Sequence, residues 1–138
     1  MSTTPPAPSL VVVYAQDLTR VAEFYEHTLS RPVMEQDARF ILVGDATVEV
    51  AIVQMPEALV AANPLETPPR LREDTPLKPS FLVDDLDRVV GAAAATGGGT
   101  KSLAAAWQWR GQLHLDGHDP EGNPVQFRAR EAVSRTEG

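Results

Sequence analysis

The sequence predicts an α+β domain built from two tandem βαβββ modules, and two observations carry that prediction. Asp17-Leu18-Thr19-Arg20-Val21 returns as Asp85-Leu86-Asp87-Arg88-Val89, a spacing of 68 positions, so half of the 138-residue chain is one structural unit. Each copy follows a short apolar run, Leu10 to Ala15 and then Ser80 to Val83, and opens a stretch of helical periodicity with short β-rich segments behind it.

In the first copy Leu18, Val21, Ala22, Tyr25 and Leu29 recur at helical spacing, which places them on one face, with Arg20, Glu23 and His27 on the other. Asp17 stands where a carboxylate caps the free N–H groups of a helix start, and Pro32 marks the end. The three segments that follow, Pro32 to Gln36, Arg39 to Val43 and Thr47 to Val53, are divided by Asp37-Ala38 and Gly44-Asp45 and read as a meander.

The second copy repeats the plan. Asp85 caps a helix whose apolar face is Leu86, Val89, Val90, Ala93 and Ala94, and Gly97-Gly98-Gly99 stops it. The expected strands are Lys101 to Ala106, Gly111 to Gly117 and Pro124 to Arg128, with Asp119-Pro120-Glu121-Gly122-Asn123 as the last turn. One domain over residues 9–130 is expected, with modules at about 9–54 and 78–130. The proline-rich stretch 55–77 is a connecting loop in which only Glu57 to Ala62 can form a helical turn. Residues 1–8 and 131–138 have no apolar face to bury and are expected to be loose tails.

Composition narrows the function classes. With 43% hydrophobic residues the chain can build a core, and no apolar run is long enough to span a membrane. The N-terminus lacks a basic start and an apolar signal segment, so a cytoplasmic protein is expected. A formal net charge of −7 repels nucleic acid and anionic lipid, and the absence of cysteine excludes thiolate metal sites and a cysteine nucleophile.

Val11 to Tyr25, the second opening Phe81-Leu82-Val83-Asp84-Asp85-Leu86 and the closing turn 119–123, in that order, resemble the glyoxalase/bleomycin resistance protein/dioxygenase (vicinal oxygen chelate) superfamily over about residues 9–130. The resemblance implies eight strands in a cupped mixed sheet around a pocket, with helices outside. It also implies a divalent metal held by one residue each from the first, fourth, fifth and eighth strands. Counting back from Asp17 and Asp85, those positions here hold Leu10 and Lys78, with Glu49 and Gln126 as the other two. Leu10 has no donor atom and a lysine ammonium repels a cation, so neither a catalytic metal nor any other cofactor is expected. Lys78 is expected to stand in for the ion, paired with Glu49 and hydrogen-bonded to Gln126.

Strand alternation sends Val11, Val13, Val48, Val50, Ile52, Phe81, Val125 and Phe127 toward the helices and their neighbours into the cup. The candidate ligand-binding set is therefore Leu10, Val12, Tyr14, Glu49, Lys78, Ser80, Gln112, His114 and Gln126, with Trp107 and Trp109 as a clamp for a planar or cationic molecule. His114 and Glu49 are the candidate proton-transfer groups. The resemblance to the bleomycin-resistance branch implies a homodimer that binds a small organic molecule, aromatic or cationic, without metal. Alternatives are a metal-dependent glyoxalase or extradiol dioxygenase, a metal-independent isomerase or lyase using His114 or Glu49, and an interaction module without a ligand.

Overall fold

Alternating apolar residues in the first half form strands at nearly the expected places. The computed structural model describes residues 7–131, so most of the two expected tails, residues 1–6 and 132–138, lies outside the described residues. The first module runs β1 (Ser9–Ala15), α1 (Leu18–Leu29), β2 (Val33–Gln36), β3 (Phe40–Gly44) and β4 (Val48–Gln54). The Asp17 carboxylate accepts from the Arg20 backbone N–H at 3.2 Å and caps α1 as expected. The helix ends at Ser30, in the left-handed region with φ 51°, where the Arg31 N–H donates to the Glu26 carbonyl; termination thus falls two residues ahead of Pro32.

The connecting loop contains one short helix, α2 (Glu57–Ala62), where the sequence allowed one. The second module continues with β5 (Ser80–Leu82), α3 (Leu86–Ala95), β6 (Gly99–Thr100), β7 (Trp107–Trp109), β8 (Gln112–His118) and β9 (Pro124–Arg130). Lys101 to Ala106, expected as a strand, instead contains a 3-10 turn over Leu103–Ala105. Its alanine run offers no branched side chains to a pleated surface. The strand is consequently split into β6 and β7, both paired with β8, and the described residues hold nine strands where eight were expected. Ala94, placed on the buried face of α3 from its spacing, is exposed.

The strands form two mixed sheets with the same order, β1-β4-β3-β2 and β5-β9-β8-β6. β1 lies parallel to β4 and β5 to β9, and the remaining pairs are antiparallel. Period-two burial follows the sequence. Val50, Ile52, Phe81, Val125 and Phe127 are buried, and Val11, Val13 and Val48 pack partly buried against them. The core is one cluster spanning both modules, in which Phe24 and Tyr25 of α1 reach Phe127 and Phe81 of the second sheet. No helix among the described residues is long and apolar enough to cross a membrane.

The turn Asp119–Asn123 joins the modules. Fully buried Asp119 accepts through Oδ1 from the Glu121 and Asn123 N–H groups, at 2.9 and 3.0 Å, and through Oδ2 from the Tyr25 hydroxyl at 2.9 Å. Burial, and then the charge of Asp119, push the Tyr25 phenol well above its ordinary range, so it stays a donor. Glu121 accepts from the Gln16 and Asp17 N–H groups at 2.8 Å, fixing the entrance to α1. Arg88 of α3 donates to the His27 and Thr28 carbonyls at the far end of α1. Gly122, at φ +85°, lets the connecting loop lie on this turn, since an added Cβ would meet the Arg70 carbonyl oxygen at 2.2 Å.

Candidate functional site

The face of the second sheet turned away from the helices carries a continuous polar network. On β8 the buried residue Leu115 points to the core, which sends Gln112, His114 and Asp116 to the opposite side. Lys78 Nζ donates to Asp116 Oδ1 at 3.0 Å, and Gln126 Nε2 donates to the same oxygen at 3.2 Å. Gln126 Oε1 then accepts from the Ser80 hydroxyl at 2.7 Å and lies 3.0 Å from His114 Nδ1. Arg128 closes the other side, donating to Ser80 Oγ and Gln112 Oε1 at 3.2 Å each. Ser80, Lys78, Gln112, His114 and Gln126, all expected in the site, are thus brought together. Asp116 and Arg128, not among the expected site residues, complete the network; alternation with Leu115 and Phe127 is the sequence signal that points to them.

His114 is only 2% exposed, and both its ring nitrogens are engaged. Nδ1 faces Gln126 Oε1, while Nε2 faces the Trp109 carbonyl oxygen at 3.2 Å. Trp107 stacks on the imidazole with centroids 4.4 Å apart and planes within 12°, and Trp109 tilts against it at 5.7 Å. The two indoles do share one face, but the plane held between them is His114. The outer tryptophan also carries the Arg110 guanidinium 5.4 Å from its ring centroid. In this arrangement the imidazole orders the sheet face, and neither nitrogen is presented to a substrate.

The first sheet supplies a different wall. Leu10, Val12 and Tyr14 are 53%, 48% and 58% exposed, and their in-register neighbours on β4 are Glu49, Ala51 and Val53. The expected pairing of Lys78 with Glu49 does not form, because Lys78 is held by Asp116 on its own sheet. None of the ion pairs among the described residues involves Glu49. Register also separates Glu49 from Gln126 in role. Leu10 stands opposite Glu49, whereas Ser80, the repeat equivalent of Val12, stands opposite Gln126, so the counterpart of Gln126 is Ala51.

These residues do not make a donor set for a divalent ion. Leu10 offers no lone pair, Lys78 is a cation in an ion pair, and the Gln126 amide oxygen already faces two partners. Among the described residues no three His, Asp or Glu side chains cluster at metal-binding spacing.

A cleft of about 550 Å³ lies where the two walls meet, lined by Val12, Tyr14, Met55, Leu77, Arg72 and Lys78 among others. A second recess of about 450 Å³ shares Arg72, Lys78 and Pro124 with it and continues to Lys101 and Asp116. Arg72 and Leu77, on the connecting loop, were not among the expected site residues. A proline-rich loop has no period from which to read where its side chains point.

The chain matches none of the curated proteins compared with it. Solved structures share the fold at low identity. A glyoxalase/bleomycin resistance protein from Albidiferax ferrireducens T118 is 18% identical, with 89% of this chain and 98% of that one covered and a TM-score of 0.64. A glyoxalase/bleomycin resistance protein/dioxygenase family enzyme from Burkholderia phytofirmans PsJN is 14% identical, with 91% and 100% covered and a TM-score of 0.63. Oxidase ChaP-H2 is 20% identical, with 95% and 98% covered and a TM-score of 0.62. The family model described as a glyoxalase-like domain matches residues 10–127, nearly the whole of both modules. By that match the chain belongs to the glyoxalase-like domain family, within the glyoxalase/bleomycin resistance protein/dioxygenase superfamily.

Proposed function

We propose that the protein binds a small organic molecule between its two sheet faces without a catalytic metal, in the manner suggested by the bleomycin-resistance branch of its superfamily. The observation that carries this reading is the Lys78–Asp116 ion pair at 3.0 Å, which puts a paired ammonium at a position where the resemblance implies a metal ligand. The apolar wall of Leu10, Val12 and Tyr14 beside a fixed polar network supports it, since organic ligands are held by mostly apolar clefts with a few oriented polar groups. Tyr14, exposed on the wall of the cleft, favours an aromatic ligand over an aliphatic one. A homodimer, implied by the same resemblance, is part of this proposal, and sedimentation of the purified chain checks it.

The test combines metal analysis with thermal unfolding in the presence of Zn²⁺, Ni²⁺, Mn²⁺ and a panel of aromatic compounds. Organic ligands are expected to raise the melting temperature equally with and without chelator, because a ligand selective for the native state stabilises it. Stoichiometric bound metal with a gain in stability on adding the ion would refute the reading. It would return the protein to the metal-dependent lyases or dioxygenases.

A further inference from the structure

Deepening that reading of the cleft, we infer that its ligand is an organic acid: an apolar body lying on β1 and a single carboxylate held by Arg72 of the connecting loop. The cleft between β1 and the loop is walled by Val12, Tyr14, Met55 and Leu77, of which Tyr14 and Leu77 are 58% and 78% exposed. Those side chains gain from covering by an apolar ligand body.

The polar end of the same cleft is positive. Arg72 and Lys78 line it, and among the described residues no acidic side chain does. Lys78 is matched by Asp116, but half-buried Arg72 takes part in no ion pair and donates no side-chain hydrogen bond among the described residues. Its backbone is nonetheless fixed, the N–H donating to the Gly122 carbonyl at 2.9 Å, so the guanidinium is carried on an anchored strap. A recess on its far side is bordered by Glu66 and Glu121. Glu121 already accepts from the Gln16 and Asp17 N–H groups.

Charge sets the class of ligand. Across the cleft and the adjoining recess, Arg72, Lys78 and Lys101 face Glu73 and Asp116, which leaves one positive charge, with His118, Tyr14 and Tyr25 as the remaining titratable groups. This local sign is opposite to the net charge of −7 on the whole chain. One uncompensated charge on a planar, forked donor matches a carboxylate, which an arginine can take in two parallel hydrogen bonds. A cationic ligand would meet Arg72, whose charge no ion pair among the described residues offsets.

Titration calorimetry with three probes sharing one body, phenylbutyrate, phenylbutanol and phenylbutylamine, tests the inference on the full chain. Phenylbutyrate should bind about tenfold more tightly than the alcohol, and the amine most weakly. Arg72→Gln should cost the acid about tenfold and the alcohol little. Arg110→Gln, at the tryptophan end, should change neither, and both variants should melt with the parent protein. Tighter or equal binding of the alcohol or amine, or an acid affinity that depends on Arg110 and not on Arg72, would overturn the organic-acid assignment while leaving a small-molecule site in place. Failure of all three probes to bind would overturn both readings.

Discussion

The two sheets have one strand order and unlike open faces. On the first, β1 presents Leu10, Val12 and Tyr14 beside Ala51 and Val53, with Glu49 as a charge outside any ion pair among the described residues. On the second, the repeat-equivalent positions to Leu10 and Val12 are Lys78 and Ser80, and these are tied through Asp116, Gln126, His114 and Arg128 into one hydrogen-bonded chain. The helix-facing sides of the same sheets are alike, because both must fill one close-packed core. The two sheets are therefore alike on the side that packing constrains. The side facing the cleft is free to divide labour, one module giving an apolar wall and the other an oriented polar surface.

That division implies a steep contrast in how substitutions behave. The largest effect should come from Gln126→Leu, which strips acceptor and donor together from His114, Ser80 and Asp116 at a position only 7% exposed. A loss of about 2 kcal/mol in urea unfolding is expected, from polar partners left unsatisfied in a poorly hydrated place. A loss below the error of the measurement would mean the network does not act as a unit.

A smaller effect is expected from Lys78→Met. The ion pair with Asp116 is 40% and 29% exposed, so solvent screening holds its worth to under about 1 kcal/mol. Asp116 keeps the Gln126 amide as a partner. Stability should change little while binding of an acidic ligand weakens. A large loss of stability with unchanged binding would assign Lys78 to the scaffold instead of the cleft.

Least affected should be the first sheet. Leu10→Ser removes a side chain already 53% exposed, so stability is expected to stay within about 0.5 kcal/mol of the parent. Any cost should appear in ligand affinity, measured by the same calorimetry. Destabilisation comparable to that of Gln126→Leu would show that this face is covered in solution and that the contrast between the sheets is incomplete.

Much of this architecture was legible before any coordinates. The repeat placed both helices and their aspartate caps, and alternation separated Val50, Ile52, Phe81, Val125 and Phe127 from the residues that face the cleft. Leu103 to Ala105 misled because the stretch lies where the repeat demands a strand, while its alanines gain nothing from one. Lys78 misled for another reason. Its position relative to Asp85 was readable, but choosing between Glu49 and Asp116 as partner required knowing which elements meet in space.

The sequence by itself determined the two long helices with their aspartate caps, the strands of the first half, the residues those strands turn to the core and the absence of a donor at Leu10, since these depend on neighbours two to four residues apart. Only the tertiary structure decided that Lys78 bonds Asp116, that His114 is enclosed by Gln126, Trp107 and Trp109, and that the loop brings Arg72 to the cleft. Those outcomes depend on register between distant strands and on the path of a segment without periodicity. No local pattern encodes either one.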